Sequence, residues 1–172
     1  KHGATVTYKP LDIAGLFSRT GGVPPKDRHP SRQEYRLQDM ARRAKVAGLP
    51  LNLKPAFWPT NAAPSGYAII AAQSAGGGDL GKLVHSFGAA CWAEDRNIAD
   101  DDVIRDCLET AGFDSALADS GLLTGADTLS RNLDEAVLRG VFGAPFFITD
   151  QDQRFWGQDR LDDLDAVLGG AL

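Results

Sequence analysis

Two residue pairs, Ala144-Pro145 and Gln158-Asp159, have the types and placement to do chemistry. An X-Pro bond adopts the cis form at a cost of only about 0.5–1 kcal/mol, and a cis bond turns the backbone groups of the preceding residue outward. Ala144 would then offer its N–H and C=O to an extended peptide, in the manner of strand addition. The alternative is an ordinary trans Pro145 that opens an edge strand. Gln158 and Asp159 stand where a final helix begins. Free N–H groups at such a place attract a carboxylate, and the Asp159 side chain attracts an ammonium. Asp159 serves equally well as a helix N-cap.

The other reactive side chains read more plainly. Cys91 and Cys107 form neither a CxxC pair nor a metal spacing, so they read as buried thiols of a reducing cytoplasm. His2, His29 and His85 have no neighbouring partners in sequence, and His85 reads as a satisfied core or surface residue. Asp100-Asp101-Asp102 resembles a metal site only superficially. Carboxylates at a helix N-terminus are favoured by capping and by the helix dipole. Trp156 reads as a core or interface residue. There is no Gly-rich phosphate loop, G-x-S-x-G elbow or H-E-x-x-H. The net charge of −5 comes with no basic stripe, which excludes a nucleic-acid footprint; Arg42-Arg43-Ala44-Lys45 reads as a solvated helix face. No apolar run approaches the roughly 18–20 residues of a membrane span.

These residues need a scaffold. The 172 residues, 43% hydrophobic and 24% charged, suit one domain or one domain with a sizeable insertion. Ala4 to Leu11 alternates and predicts a strand ending at Pro10, followed by a short helical turn over Asp12 to Phe17 and a Gly/Pro loop over Arg19 to Lys26. Ser31-x-x-Glu34 is a capping box opening a helix to about Ala47, closed by Gly48. Prolines keep Leu49 to Pro59 extended or irregular. Tyr67 to Ala72, Leu80 to Glu94, the stretch after Asp100, Phe113 to Asp119 and Leu129 to Arg139 predict a helical middle. Val141 to Thr149 and Arg154 to Trp156 predict two strands, and Asp159 to Leu168 a last amphipathic helix capped by Gly169-Gly170.

The strand-strand-helix ending resembles the C-terminal half of a thioredoxin motif. Gly140-Val141-Phe142-Gly143-Ala144-Pro145-Phe146-Phe147 and Phe155-Trp156-Gly157-Gln158-Asp159-Arg160-Leu161 make the resemblance specific. With Pro59-Thr60-Asn61 before an alanine-rich helix, they are similar to 2-hydroxychromene-2-carboxylate isomerases and kappa-class glutathione transferases of the disulfide-oxidoreductase-A branch. The resemblance implies an α/β thioredoxin-like fold with a large all-helical insertion. Residues 1–20 would hold its second strand, 21–139 the helical insertion and 140–172 the strand-strand-helix part. It further implies glutathione as cofactor, its cysteinyl part on Ala144 and Pro145 and its γ-glutamyl end at Gln158 and Asp159. The reaction it implies is cis–trans isomerisation of an aromatic-degradation intermediate by reversible thiolate addition. Phe57, Trp58 and Tyr67 are candidates for an apolar pocket around a small aromatic substrate.

Relatives of this kind are commonly homodimers. Where they carry Asn in the Gly-x-x-Pro loop, this chain has Gly22. Their activating serine opens the helix after the first strand, so it is expected upstream of Lys1 and no catalytic residue is assigned within the chain. About 25 to 30 further residues, one strand and one helix, are expected there, since two apolar strand edges would otherwise lie open. A kappa-type transferase or peroxidase, a disulfide oxidoreductase with an upstream CxxC, and a non-enzymatic binding module are the rival readings.

Overall fold

Asp12 starts the first helix: its carboxylate accepts the Ala14 N–H at 2.9 Å, capping α1 (Ile13–Thr20). A computed structural model describes residues 1–172. The α1 helix runs three residues past the short turn expected from sequence. Residues 1–12 form no strand, which corrects the expected second strand of residues 1–20. A strand exists only as part of a ladder, and no other strand of the chain pairs with this segment. Its backbone is held by side chains instead. Gln73 accepts the Tyr8 N–H at 2.8 Å and donates to the Tyr8 C=O at 3.1 Å. The buried Asn132 donates to the Pro10 C=O at 2.8 Å.

The long helix α2 (Pro30–Ala47) begins without the expected capping box. The His29 ring takes the N-cap position, accepting the Ser31 N–H at 3.3 Å and meeting the Ser31 hydroxyl at 2.8 Å. With Pro at the first helical position the start moves to Pro30, and Ser31 is already inside the helix. Gly48 closes it with φ +67°, a conformation that side chains avoid. No residue of α2 is buried.

The main core lies in the helical middle, among α3 (Ala63–Ala75), α4 (Leu80–Trp92) and α5 (Asp101–Thr110). Leu83 and Leu108 are its largest fully buried side chains. The short α6 (Leu117–Ser120) leads into α7 (Leu122–Leu138), so helix replaces the break expected between Asp119 and Leu129. Gly121 and Gly125 let these helices approach α3 closely: a Cβ on either would stand 2.6 Å from the Cβ of Ala71 or Tyr67. A smaller core of Leu16, Ala136 and Val141 joins α1 and α7 to the sheet, with Phe146 and Ile148 against it.

The sheet has two antiparallel strands, β1 (Phe146–Ile148) and β2 (Arg154–Trp156), in the register Phe146 opposite Trp156 and Ile148 opposite Arg154. Residues 141–145 are not strand as expected. Pro145 has no N–H for a ladder, and the Val141 N–H turns back to the Ala136 C=O at 2.8 Å. After β2 a single 3-10 turn (Gln158–Arg160) leads into α8 (Leu161–Leu168). The expected last helix therefore starts two residues late. No helix is long and apolar enough to cross a membrane.

Candidate functional site

The Ala144–Pro145 peptide bond is cis, as is Trp58–Pro59. Ala144 is exposed, and neither its N–H nor its C=O has a hydrogen-bond partner within the chain. Main-chain groups left open beside a strand are what an extended peptide pairs with. The two motifs singled out in the sequence meet here. The Gly157 N–H donates to the Pro145 C=O at 3.0 Å, tying the start of the last turn to the proline loop.

Trp156 covers Gly143 so closely that a Cβ there would stand 2.5 Å from the indole Nε1. Its ring meets Phe142 edge-on at 5.0 Å, and Phe142 meets Phe146 at 5.3 Å. Trp156 is thus a packing residue of the loop on one side and about half exposed, 54%, on the other. In front of this wall opens a cleft of about 470 Å³, completed by Phe17, the Gly21-Gly22 turn and the cations Arg28 and Arg36.

Gln158 and Asp159 lie just beyond the cleft lining, in the exposed 3-10 turn. Their N–H groups have no partner within the chain. Asp159 caps nothing, because α8 begins two residues later without a side-chain cap. One of its oxygens occupies the space a Cβ of Gly157 would need, and the other pairs with Arg160 at 3.3 Å. The cap alternative is therefore removed, and the carboxylate faces solvent beside two open N–H groups.

Phe57 and Trp58 line a separate shallow hollow of about 400 Å³ with Asn61 and Asn97. Tyr67 is not with them: it packs on Gly125 of α7. The Trp58 ring lies 5.4 Å from Trp92, and the Arg36 guanidinium covers both indoles at 5.2 and 5.9 Å. Burial, and then the charge of Arg28, lower the Arg36 pKa from its ordinary value. Sequence reading missed Arg28 and Arg36. One sits in a Gly/Pro loop and the other on a charged helix, and nothing in their spacing marks which face meets the cleft.

Cys91 and Cys107 are free and buried. Burial is the main cause that raises both thiols, Cys107 to about 11, so neither supplies a thiolate at neutral pH. His85 is exposed, His29 caps α2, and His2 meets Asp165 at 2.7 Å.

A family model for the DSBA-like thioredoxin domain matches residues 1–169. The chain belongs to this family. Among curated relatives, this DSBA-like domain is 28% identical over 169 residues to a 2-hydroxychromene-2-carboxylate isomerase of Sphingobium xenophagum, covering 96% of this chain and 84% of that protein. It is also 28% identical over 173 residues to the 2-hydroxychromene-2-carboxylate isomerase of Pseudomonas putida, covering 98% and 81%. The solved structure of a selenomethionine 2-hydroxychromene-2-carboxylate isomerase superposes with a TM-score of 0.78 at 24% identity, over 96% of this chain and 80% of that one. The DSBA-like fold therefore holds along nearly the whole chain, with the helical middle as an insertion in a thioredoxin frame.

Proposed function

We propose that this DSBA-like domain is a glutathione-dependent isomerase acting on 2-hydroxychromene-2-carboxylate or a similar aromatic-degradation intermediate. The observation that carries the reading is the open backbone of Ala144 beside a cleft walled by Phe142 and Trp156. It agrees with the activity named for both curated relatives. The residues fit glutathione as a peptide-like ligand. Ala144 would pair with its extended backbone, while the open N–H groups of Gln158 and Asp159 and the Asp159 carboxylate suit a zwitterionic γ-glutamyl end. When bound, glutathione would supply the thiol nucleophile for reversible addition to a conjugated substrate.

The chain's own part is to bind, orient and exclude water. Gly143 brings the proline loop under the Trp156 indole, and Phe17 shares the cleft lining with Phe142 and Trp156, which suits a planar aromatic substrate. Disulfide chemistry by this chain's own cysteines is disfavoured, because both thiols are buried and held protonated.

Calorimetric titration with glutathione tests the cofactor assignment, and absorbance change with 2-hydroxychromene-2-carboxylate tests the reaction. Binding in the micromolar to millimolar range is expected, and Asp159→Ala should weaken it about tenfold by removing one charge-assisted contact of about 1.5–3 kcal/mol. Absence of binding at millimolar glutathione would sink the proposal.

A further inference from the structure

Arg28 and Arg36 both line the cleft, and neither forms an ion pair with any carboxylate of the chain. The nearest acid along the helix, Asp39, is turned toward Arg42 and Arg43 at 3.6 and 3.9 Å. Arg28 is fixed rather than loose. Its Nε donates to the Val23 C=O at 2.8 Å, and the Gln33 amide holds the Arg28 C=O at 2.7 Å and the Lys26 C=O at 3.1 Å. That leaves the two Nη groups of Arg28 unengaged. The Arg36 guanidinium makes no hydrogen bond and rests on the Trp58 and Trp92 rings. The two rings hold the cation in place while its N–H groups stay without a partner in the chain. Two half-buried cations therefore adjoin in a cleft with no counter-charge, an arrangement an anion would relieve.

We propose that Arg28 and Arg36 form a carboxylate-binding subsite of the cleft that also contains Ala144. This rests on the function proposed above and deepens it. A guanidinium fork matches a planar carboxylate in two parallel hydrogen bonds, and Phe142 and Trp156 in the same lining suit a flat body attached to that carboxylate. Two sources carry such a group: the carboxylate of the aromatic substrate, and the glycyl carboxylate of glutathione.

Two pairs of probes, each differing in the charge of one carboxylate, distinguish them. Benzoate against benzamide reads the aromatic source. Glutathione against its glycyl monoethyl ester reads the peptide source. Calorimetry on the wild-type protein should show about a tenfold or larger preference for the charged member of at least one pair, as expected for charge-assisted bonds of about 1.5–3 kcal/mol. Arg36→Met should abolish that preference, while Arg36→Lys, which keeps the charge and loses the fork, should keep part of it. Should Arg36→Met fail to fold by circular dichroism, Arg28→Met in the loop gives the same reading. Loss of the benzoate preference assigns the subsite to the aromatic substrate, and loss of the glutathione-over-ester preference assigns it to the glycyl end. A wild type that ignores the charge in both pairs overturns the subsite, as do variants that leave the preference unchanged. Failure of glutathione to bind at all removes the proposed function alone, since the benzoate pair still reads the arginines.

Discussion

Gly22 and Gly143 are glycines because an aromatic ring occupies the space of a side chain. A Cβ on Gly22 would overlap the Phe17 ring, and one on Gly143 would meet the Trp156 indole. An Asn side chain at the first position is thus excluded here by Phe17. Gly22→Asn alone should lower stability by about 1–3 kcal/mol, the usual cost of overpacking. In Phe17→Ala the same change should cost clearly less, a coupling of about 0.5 kcal/mol or more that urea unfolding of the four-protein cycle would measure. Additive effects would mean the ring simply moves aside. From sequence the departure at Gly22 reads as a loss, because Phe17 and Gly22 belong to different predicted elements and nothing signals that they touch.

Helix α3 and helices α6 and α7 are brought together by Gly121 and Gly125, one helical turn apart. Gly125 lies within α7, where Ala is favoured over Gly by about 1 kcal/mol of propensity. Gly125→Ala should nevertheless destabilise. The new methyl would stand 2.6 Å from Tyr67 Cβ and 3.0 Å from Tyr67 Cα, atoms that cannot swing away. A lower urea midpoint is expected; a higher one would show that the helices can part at no cost. The helices themselves were legible in the sequence from their apolar spacing, as α4 and α5 show. Their joins were not. His29 displaced the Ser31-Glu34 box because Pro30 fixed the start, and Ala4 to Leu11 alternates like a strand yet has no ladder partner in the chain. Periodicity reports which face is apolar, not what lies beside it.

At the scale of the whole molecule, stability should fall on the alkaline side. Cys107 titrates at about 11 in the fold against an ordinary 9.0. Its folded pKa is raised, so unfolding releases a proton between those values and the stability it contributes is lost as pH rises through them. The cause is burial, with the Arg96 charge opposing it. Urea midpoints should decline over that window, and Cys107→Ala should flatten the decline. An unchanged slope would place the titrating group elsewhere. The two site motifs were legible at this scale because they are contiguous in sequence and the Gly157-to-Pro145 hydrogen bond joins them directly. The arginine wall was not, since it comes from a loop and a helix more than a hundred residues before them.

The indole cluster under Arg36 has an optical consequence. Arg36 links all three tryptophans of the chain: Trp156 lines the cleft that Arg36 also lines, and Trp58 and Trp92 lie beneath its guanidinium. Two indoles with centroids 5.4 Å apart and planes inclined by 47° lie within range of exciton coupling. The tryptophan dichroism and emission of this protein should therefore report on the surroundings of Arg36. A ligand that draws Arg36 off the rings would announce itself by colour-shifted emission, with no label attached.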